Sequence, residues 1–251
     1  MNGDHMSYIL SMDSGTTSVR AILFNEKGEL LGMSQKEIHQ GYPHAGWVEE
    51  DPVEIWDNQI FVCQDLLAKL NIKAEEISAM GITNQRETLI AWDKNTGKPI
   101  YPAIVWQCRR TEPMCEQLKE RGLTEWFQKK TGLMDWFHTR TGLILDAYFS
   151  ATKIQWILQN VPGARKMAEC GDLLFGTIDT WLVWNATKGR TYATDYSNAC
   201  RTMLFNIETL DWDDEILEFF GITRANLPKV QESGSDFGCV DASWLGGEVP
   251  I

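Results

Sequence analysis

The stretch Tyr8-Ile-Leu-Ser-Met-Asp-Ser-Gly-Thr-Thr-Ser-Val-Arg-Ala-Ile-Leu-Phe24 contains two apolar runs separated by a polar segment. Asp, Gly, Ser and Thr are the residue types that turns favour, so the pattern predicts two strands joined near Gly15. A second turn at Glu26-Lys-Gly28 precedes a third run, Leu30–Ile38. Two successive hairpins predict that the chain begins with an antiparallel sheet.

The rest of the chain alternates between strand and helix patterns. Asp51-Pro52 is typical of a helix start, because Asp caps the first turn and Pro suits its first position. Apolar residues recur after it at spacings of three and four, which predicts one buried face: Trp56, Ile60, Cys63, Leu67 and Leu70. Further strands are expected at 77–83 and 89–92, paired as a hairpin, and at 103–106 and 172–175; further helices are expected at 110–120, 148–158, 179–184 and 212–220. This alternation predicts an α/β architecture.

The composition excludes several classes of protein. The 251 residues are 43% hydrophobic and 23% charged, as in folded globular proteins. The net charge of −12 argues against a general affinity for nucleic acid or for an anionic membrane surface. No apolar run approaches the roughly 20 residues that span a bilayer. The six cysteines show no C-x-x-C pair, so we expect reduced thiols in a cytoplasmic protein.

The polar segment after the first strand has the residues of a phosphate site. Asp13, at the end of a strand, could hold Mg²⁺, and Gly15 would let backbone N–H groups approach an anion. Hydroxyl and guanidinium donors follow at Thr16, Thr17, Ser18 and Arg20. The set suits the β- and γ-phosphates of a nucleotide. The same residue types also make ordinary hairpin turns, and this alternative stays open.

A second polar segment, Asn84-Gln-Arg-Glu-Thr88, lies between two apolar strands. Arg86 offers five donors and Glu87 a charged acceptor, and the hydroxyls of a polyol need both. The alternative is a solvated turn with a surface ion pair. Trp106 could wall a small pocket and Tyr148 could offer its hydroxyl, although an isolated Trp or Tyr more often packs in the core.

One short segment occurs twice. Glu125-Trp-Phe-Gln-Lys-Lys-Thr-Gly-Leu133 is repeated as Asp135-Trp-Phe-His-Thr-Arg-Thr-Gly-Leu143. Solenoid architectures need at least three units of roughly 20 to 50 residues. We therefore interpret the repeat as a local tandem duplication.

Seven motifs in a fixed order carry a family resemblance. They are Asp13-Ser-Gly-Thr-Thr-Ser-Val-Arg20, Gly46-Trp-Val-Glu49, Ile82-Thr-Asn-Gln-Arg-Glu-Thr88, Ile104-Val-Trp106, Tyr148-Phe-Ser150, Leu174-Phe-Gly-Thr-Ile-Asp-Thr-Trp181 and Arg201-Thr-Met-Leu-Phe-Asn206. With them the chain resembles the FGGY carbohydrate kinases, and among these the members that phosphorylate glycerol. The resemblance extends from about Tyr8 to Ile251, apart from the repeat.

The resemblance implies an actin-like, ribonuclease-H-like α/β domain with a mixed sheet and flanking helices. It also implies ATP, Mg²⁺ and phosphoryl transfer to glycerol, giving sn-glycerol 3-phosphate. Asp13 would lie near the metal, and the nucleotide phosphates would be contacted by Thr16, Thr17, Ser18 and Arg20. Glycerol would be bound by Arg86, Glu87 and Tyr148, with Trp106 lining the same pocket.

The sequence departs from the family pattern at three places. Ser14 stands where the family usually has Gln. The segment ending Thr-Gly-Leu occurs once in the family before the glycerol-binding Tyr, so the duplication makes the placement of Tyr148 ambiguous. Family members continue into a Gly-Asp-Gln motif whose Asp is the general base, and these 251 residues contain no such motif.

These departures define the expected domain organisation. Residues 1–7 are interpreted as a vector remnant and 8–251 as the N-terminal, substrate-binding domain, with the C-terminal nucleotide-binding domain absent. We expect little turnover unless a second chain supplies that domain, and a tendency to dimerise through an apolar surface around Trp106. The alternatives are a binding fragment without activity and a kinase for a related small polyol.

Overall fold

A computed structural model describes residues 7–122 and 133–251. Its strands are β1 Tyr8–Ser14, β2 Ser18–Phe24, β3 Leu30–Glu37, β4 Gln40–Gly41, β5 Glu49–Glu50, β6 Ile77–Asn84, β7 Ile90–Asp93, β8 Ala103–Ile104, β9 Leu173–Gly176, β10 Ala193–Asp195, β11 Phe205–Asn206, β12 Asp211–Trp212, β13 Lys229–Gln231, β14 Cys239–Val240 and β15 Val249–Pro250. Its α-helices are α1 Pro52–Leu70, α2 Glu112–Gln117, α3 Leu133–Thr141, α4 Ser150–Asn160, α5 Ala164–Glu169, α6 Ile178–Ala186, α7 Tyr196–Ala199, α8 Asp214–Phe220 and α9 Ala242–Leu245. Within the described ranges, no helix combines the length and the apolar character that a bilayer crossing requires.

The main sheet has four strands in the order β3-β2-β1-β6. Strands β1, β2 and β3 are antiparallel neighbours, which confirms the two predicted hairpins, and β6 lies parallel to β1. The sheet is therefore mixed. One of its faces is buried through Leu10, Met12, Val19, Ala21 and Leu23.

Helix α1 covers this buried face of the sheet. It begins as predicted: the Asp51 carboxylate accepts a hydrogen bond from the Val53 N–H at 2.8 Å, and Pro52 is the first helical residue. It ends at Asn71, whose φ of 54° lies in the left-handed region. The predicted apolar stripe is confirmed at Trp56, Ile60, Cys63 and Leu67, which are buried, and Leu70 is partly buried.

The predicted hairpin between 77–83 and 89–92 is wrong. After β6 the chain leaves the sheet, and β7 pairs instead with β9, antiparallel and in the register Ala91↔Phe175. Residues Ile90, Ala91 and Trp92 are all buried, so both faces of this strand must pack against other parts of the chain. Pairing with β6 at the edge of the main sheet would not bury both faces.

Three predicted helices have shifted boundaries. Helix α4 begins at Ser150, two residues after Tyr148. Helix α8 begins after Asp213, whose carboxylate accepts from the Glu215 and Ile216 N–H groups, while Trp212 pairs with Phe205 in a short ladder. Helix α2 ends at Gln117 and continues as the π-helical turn Leu118–Gly122.

The repeat is described only in part. Residues 125–132 of the first copy lie outside the described residues, as do residues 1–6 of the predicted vector remnant. Helix α3 begins at Leu133, the last residue of the first copy, and includes most of the second copy; Gly142, which follows the helix, has a φ of 70°. The segment that follows leads into Tyr148 and α4.

Candidate active site

The turn between β1 and β2 has free backbone donors. The Gly15 N–H donates to the Ser18 carbonyl at 3.0 Å, and a Cβ on Gly15 would lie 3.1 Å from that same oxygen. The N–H groups of Thr16 and Thr17 donate to no acceptor within the described part of the chain. Adjacent unpaired N–H groups in a tight turn form a concave site for an anion. We call Asp13–Arg20 the phosphate loop.

The side chains of the phosphate loop differ in their burial and in their hydrogen-bond partners. The Asp13 carboxylate pairs with the Arg20 guanidinium at 2.9 Å, because the two residues face each other in the β1–β2 ladder. The Thr17 side chain is exposed. Ser18 is buried, and its hydroxyl accepts from Gln35 at 3.2 Å. Of the predicted phosphate ligands, Ser18 and Arg20 therefore have side-chain partners within this sheet, whereas the Thr17 side chain is exposed.

The phosphate loop suits a Mg²⁺ ion that is bound partly by the protein and partly by substrate phosphates. Within residues 7–122 and 133–251, no cluster of three or more His, Cys, Asp or Glu side chains could hold a metal unaided. Mg²⁺, however, is commonly bound through one or two carboxylates together with substrate phosphates. Asp13 Oδ2 bonds Arg20, and Oδ1 accepts no hydrogen bond from the described residues. One open carboxylate oxygen beside an anion site meets that requirement.

The Asn84–Thr88 segment is tied directly to the phosphate loop. The Gln85 N–H donates to the Ser14 carbonyl at 2.7 Å. Glu87 has a φ of 64°, so its backbone occupies the left-handed region that β-branched and bulky residues avoid. Its side chain is only 4% exposed, and its Oε1 accepts from Arg201 Nε at 2.6 Å. Glu87 is thus a buried, paired carboxylate, and the solvated-turn alternative is wrong for it.

Trp106 joins the two predicted subsites. Its indole N–H donates to the Thr16 hydroxyl at 3.0 Å, and its ring packs against the Tyr148 ring with centroids 5.4 Å apart. Its backbone N–H donates to Thr88 Oγ1 at 3.2 Å. The side chain is partly buried, so it forms a wall between the phosphate loop and Tyr148.

Arg86 points into a neighbouring cavity. Its side chain is exposed and lines a space of about 310 Å³. Within the described residues its guanidinium has no hydrogen-bond partner. The cavity is also lined by the polar residues Asn84, Asp179, Asp195 and Asn198. Burial raises the pKa of Asp179 to about 6, although two threonine hydroxyls donate to its carboxylate. Arg86 is therefore a free cation in a cavity whose lining includes none of Glu87, Trp106 and Tyr148, so the structure does not bring its side chain together with those three.

Sequence reasoning missed two residues of this site. Arg201 pairs with Glu87 and lies over the rings of Tyr148 and Phe149 at 5.9 and 5.0 Å. Lys153 approaches backbone carbonyls of the same segments. Arg201 opens one of the seven motifs, but nothing in the sequence pairs it with a residue more than a hundred positions away.

A chain of buried hydrogen bonds connects the segment that contains Glu87 to Glu50 on one side and to Trp106 on the other. Gln85 Nε2 donates to Glu50 Oε2 at 2.6 Å, and Gln40 donates to the other oxygen of Glu50 at 2.9 Å. Gln85 Oε1 accepts from the Thr88 hydroxyl, which in turn accepts from the Trp106 N–H. Burial raises the pKa of Glu50 to about 7, and the nearby Glu54 adds to the rise.

Glu50→Gln should change how stability depends on pH. In the folded state Glu50 holds its proton up to about pH 7, whereas in the unfolded chain it loses it near pH 4.5. The folded state binds more protons between these values, so the wild-type chain loses stability as the pH rises through them. Relative to wild type, Glu50→Gln should therefore gain roughly 3 kcal/mol between about pH 4.5 and about pH 8.

Urea denaturation at several pH values measures this difference. Glu218→Gln, a change at an exposed carboxylate on α8, is the matched control and should run parallel to wild type. A Glu50→Gln curve that also runs parallel would contradict a buried, proton-binding Glu50.

The chain is similar to proteins of one known family over nearly its whole length. Residues 8–247 match the FGGY family of carbohydrate kinases, N-terminal domain. Glycerol kinase 2 of Thermotoga maritima is 57% identical over 246 residues, which are 98% of this chain and 48% of that protein. The glycerol kinase of Lachnoclostridium phytofermentans is 57% identical over 244 residues, or 97% of this chain and 47% of that protein. The chain thus spans about half the length of the curated relatives it matches.

Solved structures show the same fold. The crystal structure of Plasmodium falciparum glycerol kinase with ADP superimposes with a TM-score of 0.87 at 34% identity, over 98% of this chain and 47% of that one. A gluconate kinase from Lactobacillus acidophilus gives a TM-score of 0.81 at 23% identity, over 97% of this chain and 47% of that one, and so shares the fold. The predicted actin-like, mixed α/β architecture is confirmed. The chain belongs to the FGGY family of carbohydrate kinases.

Proposed function

We propose that this chain forms the glycerol pocket and one side of the phosphate site of an ATP-dependent glycerol kinase. The observation that carries the proposal is the position of Trp106. Its indole N–H bonds Thr16 in the phosphate loop while its ring contacts Tyr148. A small alcohol lying against this ring would have its end beside the anion site. The names of the relatives, glycerol kinases at 54 to 57% identity, support the same substrate.

The polar groups around Trp106 suit a triol. The Glu87 carboxylate accepts hydrogen bonds, the free Arg86 guanidinium donates them, and the Tyr148 hydroxyl does both. The indole ring would contact the carbon atoms that lie between the hydroxyls. Arg201 pairs with the Glu87 carboxylate at 2.6 Å and fixes its direction. The pocket would therefore orient one terminal hydroxyl towards the phosphate loop.

The phosphate loop would receive the nucleotide's terminal phosphates. The free N–H groups of Thr16 and Thr17, with the Thr17 hydroxyl and Arg20, would compensate their charge. When bound, ATP supplies the phosphoryl group, and Mg²⁺, held in part by the open oxygen of Asp13, neutralises the negative charge that grows during transfer. The chain's contribution is positioning and charge compensation, which dominate phosphoryl transfer.

Further proposals concern the surroundings of this site. The general base and the adenine contacts would come from a C-terminal domain, in the same protein or in a second chain. The apolar wall around Trp106 would favour dimerisation where that domain does not cover it. All six cysteines lie in the described residues and are free thiols, which supports the predicted cytoplasmic location.

Titration with glycerol, followed by nuclear magnetic resonance, tests the proposal. The indole N–H resonance of Trp106 is identified by its loss in Trp106→Phe. Glycerol should shift it in a saturable way, whereas D-xylulose and D-gluconate should leave it unchanged. Mg²⁺ with tripolyphosphate should shift the backbone amides of Thr16 and Thr17. A saturable response to xylulose or gluconate but none to glycerol would contradict glycerol as the substrate.

A further inference from the structure

The side chain of Lys153, on α4, is completely buried. No carboxylate in the described part of the chain contacts its ammonium group. Nζ lies instead 2.5 Å from the Tyr148 carbonyl oxygen, 3.2 Å from that of Phe149 and 3.5 Å from that of Glu87. An ammonium has three N–H donors, and here it finds three backbone acceptors.

These carbonyls belong to the two segments that carry the proposed polyol ligands. Tyr148 and Phe149 immediately precede α4, and Glu87 lies in its left-handed turn after β6. The Ser150 hydroxyl donates to the same Glu87 carbonyl at 3.1 Å. Ser150 and Lys153 therefore both join the Glu87 backbone to the start of α4, and Lys153 contacts the Glu87 and Tyr148 carbonyls at once.

A purely structural role does not require this chemistry. Burying an amine costs free energy that an aliphatic side chain of similar length would not cost. Met at this position would fill the same space but would remove one donor from each of three carbonyls, and among the described residues the Glu87 carbonyl would keep only the Ser150 hydroxyl. The retained ammonium therefore points to a geometric requirement at the two segments it joins.

We propose that Lys153 is a positioning residue of the polyol site, and that its ammonium holds the Glu87 and Tyr148 backbones at the separation that glycerol bridges. The proposal rests on the proposed function, because it assumes that Glu87 and Tyr148 bind the polyol. It adds that a residue which cannot itself reach the substrate controls the affinity.

The proposal predicts that glycerol binding depends on pH, because the contacts of Lys153 depend on its protonation state. Burial lowers the pKa of Lys153 to about 7. The titratable groups that act on it are Glu87 in the turn, Cys108 after β8, Cys115 on α2 and Asp146 before α4. Burial raises the pKa of Cys115 to about 11, so this thiol stays neutral over the range of interest. A neutral amine has two donors and a lone pair, so one of the three carbonyl contacts is lost on deprotonation.

The test compares glycerol titrations of wild type, Lys153→Met and Ile154→Val, followed at the Trp106 indole N–H. Wild type should bind glycerol more weakly by a factor of about 3 to 10 at about pH 8 than at about pH 6. Lys153→Met should bind at least about tenfold more weakly than wild type at about pH 6 and show no such pH dependence. Ile154→Val, a neighbouring buried change on the same helix, should keep both the affinity and the pH profile.

The outcomes separate the two proposals. If wild type shows no saturable glycerol response at any pH, the proposed function fails. If wild type binds glycerol with an affinity independent of pH, or Lys153→Met binds within about twofold of wild type, the positioning role of Lys153 fails while the glycerol site stands. If Lys153→Met does not fold, the pH profile is measured in Glu50→Gln, which lacks the other group of this site that titrates near pH 7. An affinity independent of pH in that variant overturns the positioning role, and a retained pH dependence supports it.

Discussion

Glu87→Gln should weaken glycerol binding about 100-fold, the largest loss we expect from a single change in the pocket. The Glu87 carboxylate is 4% exposed and accepts from Arg201 at 2.6 Å. An amide of the same size keeps the backbone contacts to Ser150 and Lys153 but removes the negative charge. The amide oxygen can still accept from Arg201, but the guanidinium loses its charged partner, and the amide's own N–H₂ group presents donors where the polyol hydroxyls need an acceptor.

The measurement is the same glycerol titration at the Trp106 indole resonance. Glu112→Gln, which removes an exposed carboxylate paired with Arg109, is the matched control and should leave the affinity unchanged. A Glu87→Gln chain that binds glycerol within about threefold of wild type would contradict the role of this carboxylate.

Glu87→Asp provides a second, independent variant. Aspartate tolerates the left-handed backbone at this position better than glutamate. Its carboxylate is drawn back by one carbon, which breaks the 2.6 Å contact with Arg201. We expect a loss of at least about 30-fold in glycerol affinity, because the charge is kept but its position is not.

The sequence was sufficient to predict the main sheet and α1, because their signals are local. Apolar periodicity, the Asp51-Pro52 start and the turn residues around Gly15 each act over a few positions. The pairing of β7 with β9 was mispredicted, because it joins segments about 80 residues apart and depends on burial of both strand faces. Local patterns carry no information about such a partner.

In the candidate site, too, the residues in local motifs were predictable, and those that act through long-range contacts were not. The motif residues Thr16, Trp106 and Tyr148 could be named in advance, and the structure brings them into one chain of contacts. Arg201 and Lys153 could not, because their roles arise from contacts with distant segments. A lysine on a helix predicts a solvated side chain, and only the three carbonyls facing Lys153 make it part of the site.

Arg110→Met should destabilise the fold more than any other single arginine change that we consider. The Arg110 side chain is 0% exposed, and its Nη2 pairs with Glu49 Oε1 at 2.7 Å. Nη1 donates to the Tyr101 hydroxyl, and the guanidinium lies 4.0 Å from the Trp47 ring centroid and 4.8 Å from that of Trp156. The cation thus joins four segments of the chain and has no water to replace a lost partner.

The expected loss of stability follows from the Glu49 carboxylate, which would remain without its ion-pair partner. Without Arg110, the largely buried Glu49 carboxylate keeps only the Tyr101 hydroxyl as a donor among the described residues. Removing one partner of a buried ion pair costs about 3 to 5 kcal/mol, because the other charge stays buried and uncompensated. For a chain of this size that loss lowers the melting temperature by roughly 10 °C.

The neighbouring arginine offers a matched control. Arg109 also makes ion pairs, with Glu112 at 2.7 Å and Asp146 at 2.8 Å, but its side chain is 39% exposed. Arg109→Met should therefore cost only about 1 kcal/mol, since water replaces the lost contacts. Thermal and urea unfolding of the two variants compare the same chemical change at adjacent positions.

A second substitution distinguishes the effect of the unpaired Glu49 charge from the effect of the lost packing around Arg110. Adding Glu49→Gln to Arg110→Met removes the uncompensated carboxylate and should recover about half of the lost stability. If the double variant is as unstable as Arg110→Met, the guanidinium stabilises the fold through its contacts with Trp47 and Trp156 and not through the ion pair. If Arg110→Met and Arg109→Met prove equally stable, burial does not distinguish the two arginines, and the pairing of Arg110 with Glu49 is not the strong interaction that its geometry indicates.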